Sequence, residues 1–184
     1  MLRKNTAFMG TLKQELLSKI KKIKILLTDI DGVLTDGGMY YTEEGMVMKK
    51  FFVRDGMGTT LLRKAGFLTG VISTDISPIA RTRAERLKME FIHLGIWDKE
   101  IAMGEICAQT KLLPENIAFI GDDVNDLSIL QLVGFAACPK DASDAVKKLA
   151  HYICKKKGGK GAYREVADLL LNNQEVNPDE KKNN

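Results

Sequence analysis

Short apolar runs that alternate with helix-forming segments are the feature that most constrains the fold of this 184-residue chain. Strands are predicted at Ile23–Ile30, Phe67–Ser73, Glu90–Leu94, Ile117–Gly121, Phe135–Cys138 and His151–Cys154. Helices are predicted between them near residues 56–65, 77–88, 98–111, 124–132 and 141–149, with a last one near 162–172. Such alternation is typical of a parallel sheet covered by helices on both faces. We therefore predict an α/β, doubly wound, Rossmann-like domain.

One segment after the first predicted strand breaks this alternation. Residues 38–53 carry aromatic and methionine side chains on two short arms, and Glu43–Gly45 between them has the composition of a turn. This pattern predicts a β-hairpin insertion.

The two ends of the chain differ from its centre. Leu12, Leu16 and Ile20 recur at helical spacing, which predicts an N-terminal helical extension over residues 1–21, packed on the domain or on a partner. The main domain is expected over residues 22–172. The polar residues 173–184 are expected to form a disordered tail.

Composition narrows the class of protein. The net charge is +4, but the basic residues are spread along the chain, so we expect no nucleic-acid partner. No run approaches the roughly 20 apolar residues of a membrane span, so no membrane partner is expected either. Cys107, Cys138 and Cys154 show no paired spacing, which favours a reduced, cytoplasmic protein.

Polar residues stand at the ends of four predicted strands. Asp29 and Asp31 lie at the end of the first strand, Ser73 ends the second, Lys99 follows the third and Asp122 follows the fourth. Because ligands bind beyond the carboxyl ends of the strands in open α/β sheets, we expect these side chains to converge on one site.

The residue types at this edge indicate phosphoryl-transfer chemistry. Carboxylates without histidine or thiolate suit Mg²⁺, which would also offset the repulsion between Asp29 and Asp122. An ionised Asp can attack phosphorus, and a second acid two residues along can protonate the leaving oxygen and later activate water. A hydroxyl and an ammonium group can hold the phosphoryl oxygens.

These residues also resemble a known family. DIDGV, VIS, DK and GDDxxD stand in the order of the four motifs of the haloacid dehalogenase (HAD) superfamily, over about residues 22–171. The resemblance implies Asp29 as the nucleophile and Asp31 as the general acid and base. It implies Ser73 and Lys99 as stabilisers of the phosphate and the intermediate.

The same resemblance implies a magnesium site. Its ligands would be Asp29, the backbone carbonyl of Asp31 and Asp122, with Asp123 or Asp126 in support.

A narrower resemblance is to the capless sugar-acid phosphatases of this superfamily. It rests on TDIDGVLTDGGMYY, on the FxVRDGxG element at Phe51–Gly58 and on GGKGAYRE at residues 158–165. The group includes phosphatases of 3-deoxy-manno-octulosonate 8-phosphate (KDO 8-phosphate) and of nine-carbon acid 9-phosphates. It implies no cap domain and a homotetramer whose hairpins meet at the centre. Arg164 and the glycine loop before it would reach a neighbouring subunit's substrate.

The substrate signals are divided. Octulosonate enzymes resemble one another in a Ser-Gly-Arg pattern, whereas this chain has Asp75 at the third position, as nine-carbon phosphatases do, with Arg86 as a candidate basic partner. The VRDG sequence is closer to the octulosonate type. Its Arg54 is a candidate substrate contact; the alternative is a local ion pair with Asp55. We expect a nine-carbon 9-phosphate (N-acylneuraminate or KDN) as substrate, with KDO 8-phosphate as the alternative.

Two other classes of protein share parts of this pattern. A phosphate-accepting receiver domain also places acids and a lysine at strand ends, but it lacks an acid in the position of Asp31. A catalytically silent phosphatase-like domain would assemble without turnover, although its motif residues would be expected to decay.

Overall fold

The computed structural model describes residues 14–173, and their regular elements follow the predicted alternation. The strands are β1 (Ile25–Thr28), β2 (Thr35–Thr42), β3 (Gly45–Phe51), β4 (Leu68–Ser73), β5 (Phe91–Leu94), β6 (Ile117–Ile120), β7 (Phe135–Cys138) and β8 (Tyr152–Ile153). The helices are α1 (residues 14–22), α2 (Val53–Lys64), α3 (Pro78–Arg86), α4 (Lys99–Thr110), α5 (Leu127–Leu132), α6 (Asp144–Leu149) and α7 (Ala162–Asn172). Short 3₁₀ turns precede β6 and α5, at Pro114–Asn116 and Val124–Asp126.

Six of these strands form one parallel sheet in the order β5-β4-β1-β6-β7-β8. From β1 the chain moves outward through β4 and β5, and it then returns to β6 on the other side of β1. The point where the strand order reverses therefore lies between β1 and β6, and a crevice opens there at the carboxyl ends of the strands. The predicted doubly wound α/β fold is confirmed.

Alternate side chains of the strands point to opposite faces of the sheet, and helices cover each face. Leu26 of β1 packs with Ile20 of α1 and Tyr163 of α7, whereas Ile25 on the opposite face packs with Ile106 of α4. Each such side chain, when fully buried, contributes about 1.5–3 kcal/mol to stability. This two-sided core fixes the strand ends that carry the polar residues.

The hairpin insertion is confirmed. Strands β2 and β3 pair antiparallel, and the chain turns between Thr42 and Gly45 as the sequence predicts. Its apolar residues are largely uncovered within the single chain. The exposed ones are Met39, Tyr40, Tyr41, Val47 and Met48.

The described part of the N-terminal extension packs on the domain. Ile20 is buried in the core, and Leu16 packs against the same core cluster. Leu12 lies outside the described residues, as does the predicted tail beyond Asn173. Between residues 14 and 173, none of the helices is both long and apolar enough to cross a membrane.

Candidate functional site

The site is built where β1 and β6 end side by side. The backbone N–H of Asp29 donates to the carbonyl of Ile120, so the two strand ends are still joined at the first acid. Asp29 is buried, and its Oδ1 accepts from the backbone N–H of Ile30. Carboxylate oxygens of Asp29, Asp122 and Asp126 lie within 4.8 Å of one another. The topology therefore gathers three acids at the switch point of the sheet.

Lys99 supplies the positive charge inside this cluster. Its side chain is fully buried, with Nζ 2.9 Å from Asp29 Oδ2 and 2.5 Å from Asp126 Oδ1. Burial by itself would lower the pKa of Lys99, but Asp29 and Asp126 outweigh it and the pKa is raised. Lys99 is therefore a fixed ammonium group directly beneath the first acid.

Asp126 is one of the two acids, with Asp123, that the sequence suggests in support of the metal. Its Oδ2 accepts from the backbone N–H groups of Asp122 and, at 3.4 Å, of Asp123. Asp123 is exposed, and its Oδ1 accepts from the N–H of Val124. The structure thus brings Asp126, rather than Asp123, into the buried cluster.

The cluster carries more negative than positive charge. Burial, followed by repulsion from Asp29 and Asp126, raises the pKa of Asp122 to about 8. Burial and Asp29 likewise raise the pKa of Asp126 to about 6. A hard divalent cation with oxygen ligands would keep these carboxylates ionised, so the donor set fits Mg²⁺.

Gly32 provides the space for this arrangement. Its φ of +78° lies in the left-handed region, and a Cβ there would stand 2.0 Å from Asp122 Oδ2. Only glycine satisfies both conditions without strain. The glycine of the DIDGV motif therefore lets Asp122 lie against the loop after β1.

A cavity of about 420 Å³ opens above the acids. It is lined by Asp29, Asp31, Gly32, Gly37, Ser73, Thr74, Trp97, Asp122, Asp123, Val124 and Asn125. Ser73 is buried in its wall, and its Oγ accepts from the N–H of Asp75. Four of the predicted catalytic and metal-binding residues thus line one cavity, with Lys99 below it.

Lys49 is a site residue that the sequence analysis missed. Its Nζ lies 2.5 Å from Asp31 Oδ2 and 2.6 Å from Asp75 Oδ2, and its side chain is buried. Burial opposes the charge, but the two acids outweigh it and raise the pKa of Lys49. The sequence pattern of the hairpin does not predict this burial, because the apolar Met48 is exposed while the charged Lys49 is buried.

Asp75 and Arg86 do not come together. Asp75 lies beside the start of α3, where its carboxylate accepts from the N–H and the hydroxyl of Ser77 as well as from Lys49. Arg86 is exposed at the other end of the nine-residue helix, roughly 13 Å further along its axis. The acid is therefore paired within the chain, and Arg86 does not line the cavity.

Arg54 and Arg164 line a second cavity, of about 570 Å³. Its lining also includes three lysines and two acids, so the surface carries a net positive charge; these residues are Lys155, Lys156, Lys160, Glu165 and Asp168. Arg164 Nε pairs with Asp168 at 2.7 Å. These two predicted substrate contacts are therefore absent from the lining of the first cavity.

Asp55 of the VRDG sequence joins helices α2 and α7. Its Oδ1 accepts from the backbone N–H of Arg164 at 2.8 Å, rather than from the side chain of Arg54. Its Oδ2 is buried without a hydrogen-bond partner, and burial raises the pKa of Asp55 to about 6. Asp55 thus acts within the scaffold that presents Arg164.

The glycine loop before α7 packs directly on the loop after β1. The N–H of Gly159 donates to the carbonyl of Val33, and a Cβ on Gly158 would lie 1.8 Å from the carbonyl oxygen of Gly32. The glycine loop is therefore fixed by contacts with the loop after β1 and is not a free turn.

Comparison with known proteins agrees with this geometry. Residues 70–166, which contain Ser73, Lys99 and Asp122, match the haloacid dehalogenase-like hydrolase family. The chain is 38% identical over 156 residues to the 3-deoxy-D-manno-octulosonate 8-phosphate phosphatase KdsC of Haemophilus influenzae, covering 85% of this chain and 87% of the relative. The chain belongs to the HAD-like hydrolases. The predicted enzyme class, a HAD phosphatase acting on phosphate monoesters, is thereby confirmed.

Solved structures of HAD phosphatases share the fold. The cobalt-bound octulosonate 8-phosphate phosphatase of Haemophilus influenzae aligns with a TM-score of 0.82 at 38% identity, covering 84% of this chain and 91% of that one. The octulosonate 8-phosphate phosphatase of Moraxella catarrhalis, in complex with magnesium, phosphate and KDO, aligns at 0.84 with 34% identity, covering 87% and 92%. These relatives are sugar-acid phosphatases, which agrees with the predicted class of substrate.

Proposed function

We propose that this HAD phosphatase hydrolyses KDO 8-phosphate with Mg²⁺. The observation that carries the proposal is the cluster of Asp29, Asp122, Asp126 and Lys99, found in a chain 38% identical to an octulosonate 8-phosphate phosphatase. The relatives favour this substrate, the alternative of the sequence analysis, over the nine-carbon 9-phosphate that we expected first.

The surroundings of Asp75 support the same change of substrate. The nine-carbon expectation took Asp75 and Arg86 as the candidate residues for substrate selection. In the structure, Lys49 and Ser77 occupy the Asp75 carboxylate, and Arg86 lies at the far end of α3. An acid that is neutralised within the chain offers little for substrate selection.

The first half of the proposed reaction transfers the phosphoryl group to the enzyme. A carboxylate oxygen of Asp29 attacks phosphorus, the bond from phosphorus to the sugar oxygen breaks, and Asp31 gives its proton to that oxygen. Lys99, 2.9 Å from Asp29 Oδ2, balances charge at the reacting carboxylate. Ser73 would hold a phosphoryl oxygen from the cavity wall.

The second half releases inorganic phosphate. Asp31 accepts a proton from water, the water oxygen bonds to phosphorus, and the bond from phosphorus to Asp29 breaks, which restores both acids. Mg²⁺, held by Asp29, Asp122 and the Asp31 carbonyl with Asp126 in support, would neutralise phosphoryl charge. The buried excess of carboxylates is the observation in this chain that fits the ion.

We also propose a homotetramer in which a neighbouring subunit completes the site. The uncovered apolar hairpin, including Tyr41 and Met48, is the surface that supports association. The second cavity would bind the carboxylate of a neighbouring subunit's substrate through Arg54 and through Arg164, whose pairing with Asp168 is partly exposed to solvent. Light scattering should give four chains, and Tyr41→Glu should reduce that number. A monomer for the native sequence would contradict this part of the proposal.

The substrate is tested by comparing kcat/KM for KDO 8-phosphate and N-acylneuraminate 9-phosphate with Mg²⁺. We expect the octulosonate to be preferred by tenfold or more. A preference for the nine-carbon acid would contradict the proposed substrate while leaving the phosphatase assignment intact. A stable phosphorylated protein, or no turnover of either ester, would instead favour the receiver or the silent domain.

A further inference from the structure

The ammonium group of Lys49 lies between two acids that come from different parts of the chain. The Lys49 side chain is only 1% exposed, whereas those of Asp31 and Asp75 are 33% and 9% exposed. Burying a lysine without partners carries an uncompensated desolvation penalty of several kcal/mol. The two carboxylate contacts compensate for that loss, so the position of Lys49 is specific rather than incidental.

These contacts fix the orientation of the Asp31 carboxyl group. Lys49 holds Oδ2, and the hydroxyl of Thr35 donates to Oδ1 at 3.2 Å. Asp31 itself lines the cavity. Proton transfer requires the acid to stand within hydrogen-bond reach of the reacting oxygen, so holding both oxygens sets where that transfer can occur.

Lys49 is itself held in place from its other side. Asp75 accepts from Lys49 and also from the N–H and hydroxyl of Ser77, the N-cap residue of α3. The N–H of Asp75 in turn donates to Ser73 Oγ. Lys49 is not among the residues that line the cavity, so it reaches the reaction through Asp31.

We infer that Lys49 is a positioning residue for the general acid and base Asp31, with Asp75 as its anchor. This inference goes beyond the proposed function and rests on the role that it gives Asp31. The hairpin is then part of the catalytic apparatus, because β3 carries the group that orients the acid.

The first experiment compares two neighbouring lysines of β3. Lys49→Met should lower kcat on the order of 10²-fold with KM changed less than about threefold, since the acid is misplaced while binding groups remain. Lys49→Arg should recover at least about tenfold of that loss because it keeps a donor. Lys50→Met is the matched control, since Lys50 is exposed and pairs with Asp36, and its kcat should stay within about twofold.

A double-mutant cycle separates positioning from a merely structural role. If Lys49 acts through Asp31, Lys49→Met should cost less than about threefold once Asp31→Asn is present. Equal losses in both backgrounds, or a Lys49→Met variant with normal kcat, would overturn the inference. An Asp31→Asn variant with normal turnover would overturn it as well, by removing the role of Asp31.

Two additions keep the test informative. Asp75→Asn, which retains an acceptor for Ser77, should lower kcat by about tenfold without raising KM, and it serves if Lys49→Met does not fold. An unchanged kcat in Asp75→Asn would refute the anchoring role.

All variants are assayed on p-nitrophenyl phosphate as well as KDO 8-phosphate, so that a wrong sugar substrate is distinguished from a wrong role for Lys49.

Discussion

Lys99 Nζ lies 2.9 Å from Asp29 Oδ2, and neither side chain is more than 5% exposed. The contact joins the end of β1 to the start of α4, two elements about 70 residues apart in the chain. The contact is favourable because the Lys99 ammonium group lies between Asp29 and Asp126 and offsets the repulsion between these two acids. The buried carboxylates therefore depend on this one ammonium group when no cation is bound.

Removing the charge of Lys99 should damage both stability and catalysis. Lys99→Met leaves buried carboxylates without their partner, which should lower the free energy of unfolding by about 3–5 kcal/mol at pH 8 without Mg²⁺. It should also lower kcat by about 10²–10³-fold. Urea unfolding and phosphate release measure the two effects, with the exposed Lys148→Met as control. A loss in Lys99→Met no greater than in the control would contradict this assignment.

Mg²⁺ binding should strengthen as pH rises to about 8. Without metal, folded Asp122 keeps its proton up to its raised pKa of about 8, whereas the unfolded chain releases it near pH 4. The folded state binds more protons between these values, so the free energy of unfolding falls as pH rises through this window and levels off above it.

A metal that requires ionised Asp122 must displace that proton below pH 8. Calorimetric titration with Mg²⁺ should therefore show proton release and an affinity that rises by up to about tenfold per pH unit from pH 6.5 to 8. Asp144→Asn, at an exposed acid of α6, should leave this profile unchanged. An affinity independent of pH over this range would contradict a metal that displaces a proton from Asp122.

Gly32→Ala should impair the metal site through sterics alone. Its Cβ would stand 2.0 Å from Asp122 Oδ2 at a φ of +78°, so we expect a loss of about 1–3 kcal/mol in stability and at least tenfold weaker Mg²⁺ binding. Gly104→Ala is the matched control, because a Cβ there meets nothing within 4 Å inside α4. That control should stabilise the protein by about 0.5–1 kcal/mol. Similar effects for the two substitutions would be inconsistent with the packing described.

Trp97 should report on occupation of the cavity. It is the one tryptophan of the chain, it is largely exposed, and it lines the cavity above Asp29. Phosphate with Mg²⁺ should therefore change the tryptophan emission of the Asp29→Asn variant in a saturable way. Sodium chloride at equal ionic strength is the control. Emission that is unaffected by phosphate at saturating concentration would place the anion elsewhere.

The sequence predicted the sheet and most of the central acids for a clear physical reason. Parallel strands share one carboxyl edge, so residues that follow different apolar runs must meet there, and Asp29, Ser73, Lys99 and Asp122 do. The sequence did not decide which of Asp123 and Asp126 joins the cluster, because the 3₁₀ turn that directs Asp126 inward and Asp123 outward depends on backbone geometry.

Lys49 could not be predicted in the same way. The pattern of β3 gives no reason to bury a lysine while leaving Met48 exposed, and the burial is favourable only because Asp31 and Asp75 arrive from other elements. Asp75 and Arg86, the two residues suggested for substrate selection, lie far apart in the structure. The spacing already implied this separation, because 11 positions along a helix correspond to about three turns.

Phosphate release from KDO 8-phosphate should be measured for the native chain and for Asp29→Asn, each with and without Mg²⁺. We expect turnover by the native chain only with Mg²⁺, and a loss of at least about 10³-fold in Asp29→Asn with an unchanged far-UV circular dichroism spectrum. Near-normal turnover by Asp29→Asn, or equal turnover by the native chain after Mg²⁺ has been removed with a chelator, would rule out a magnesium-dependent attack by Asp29.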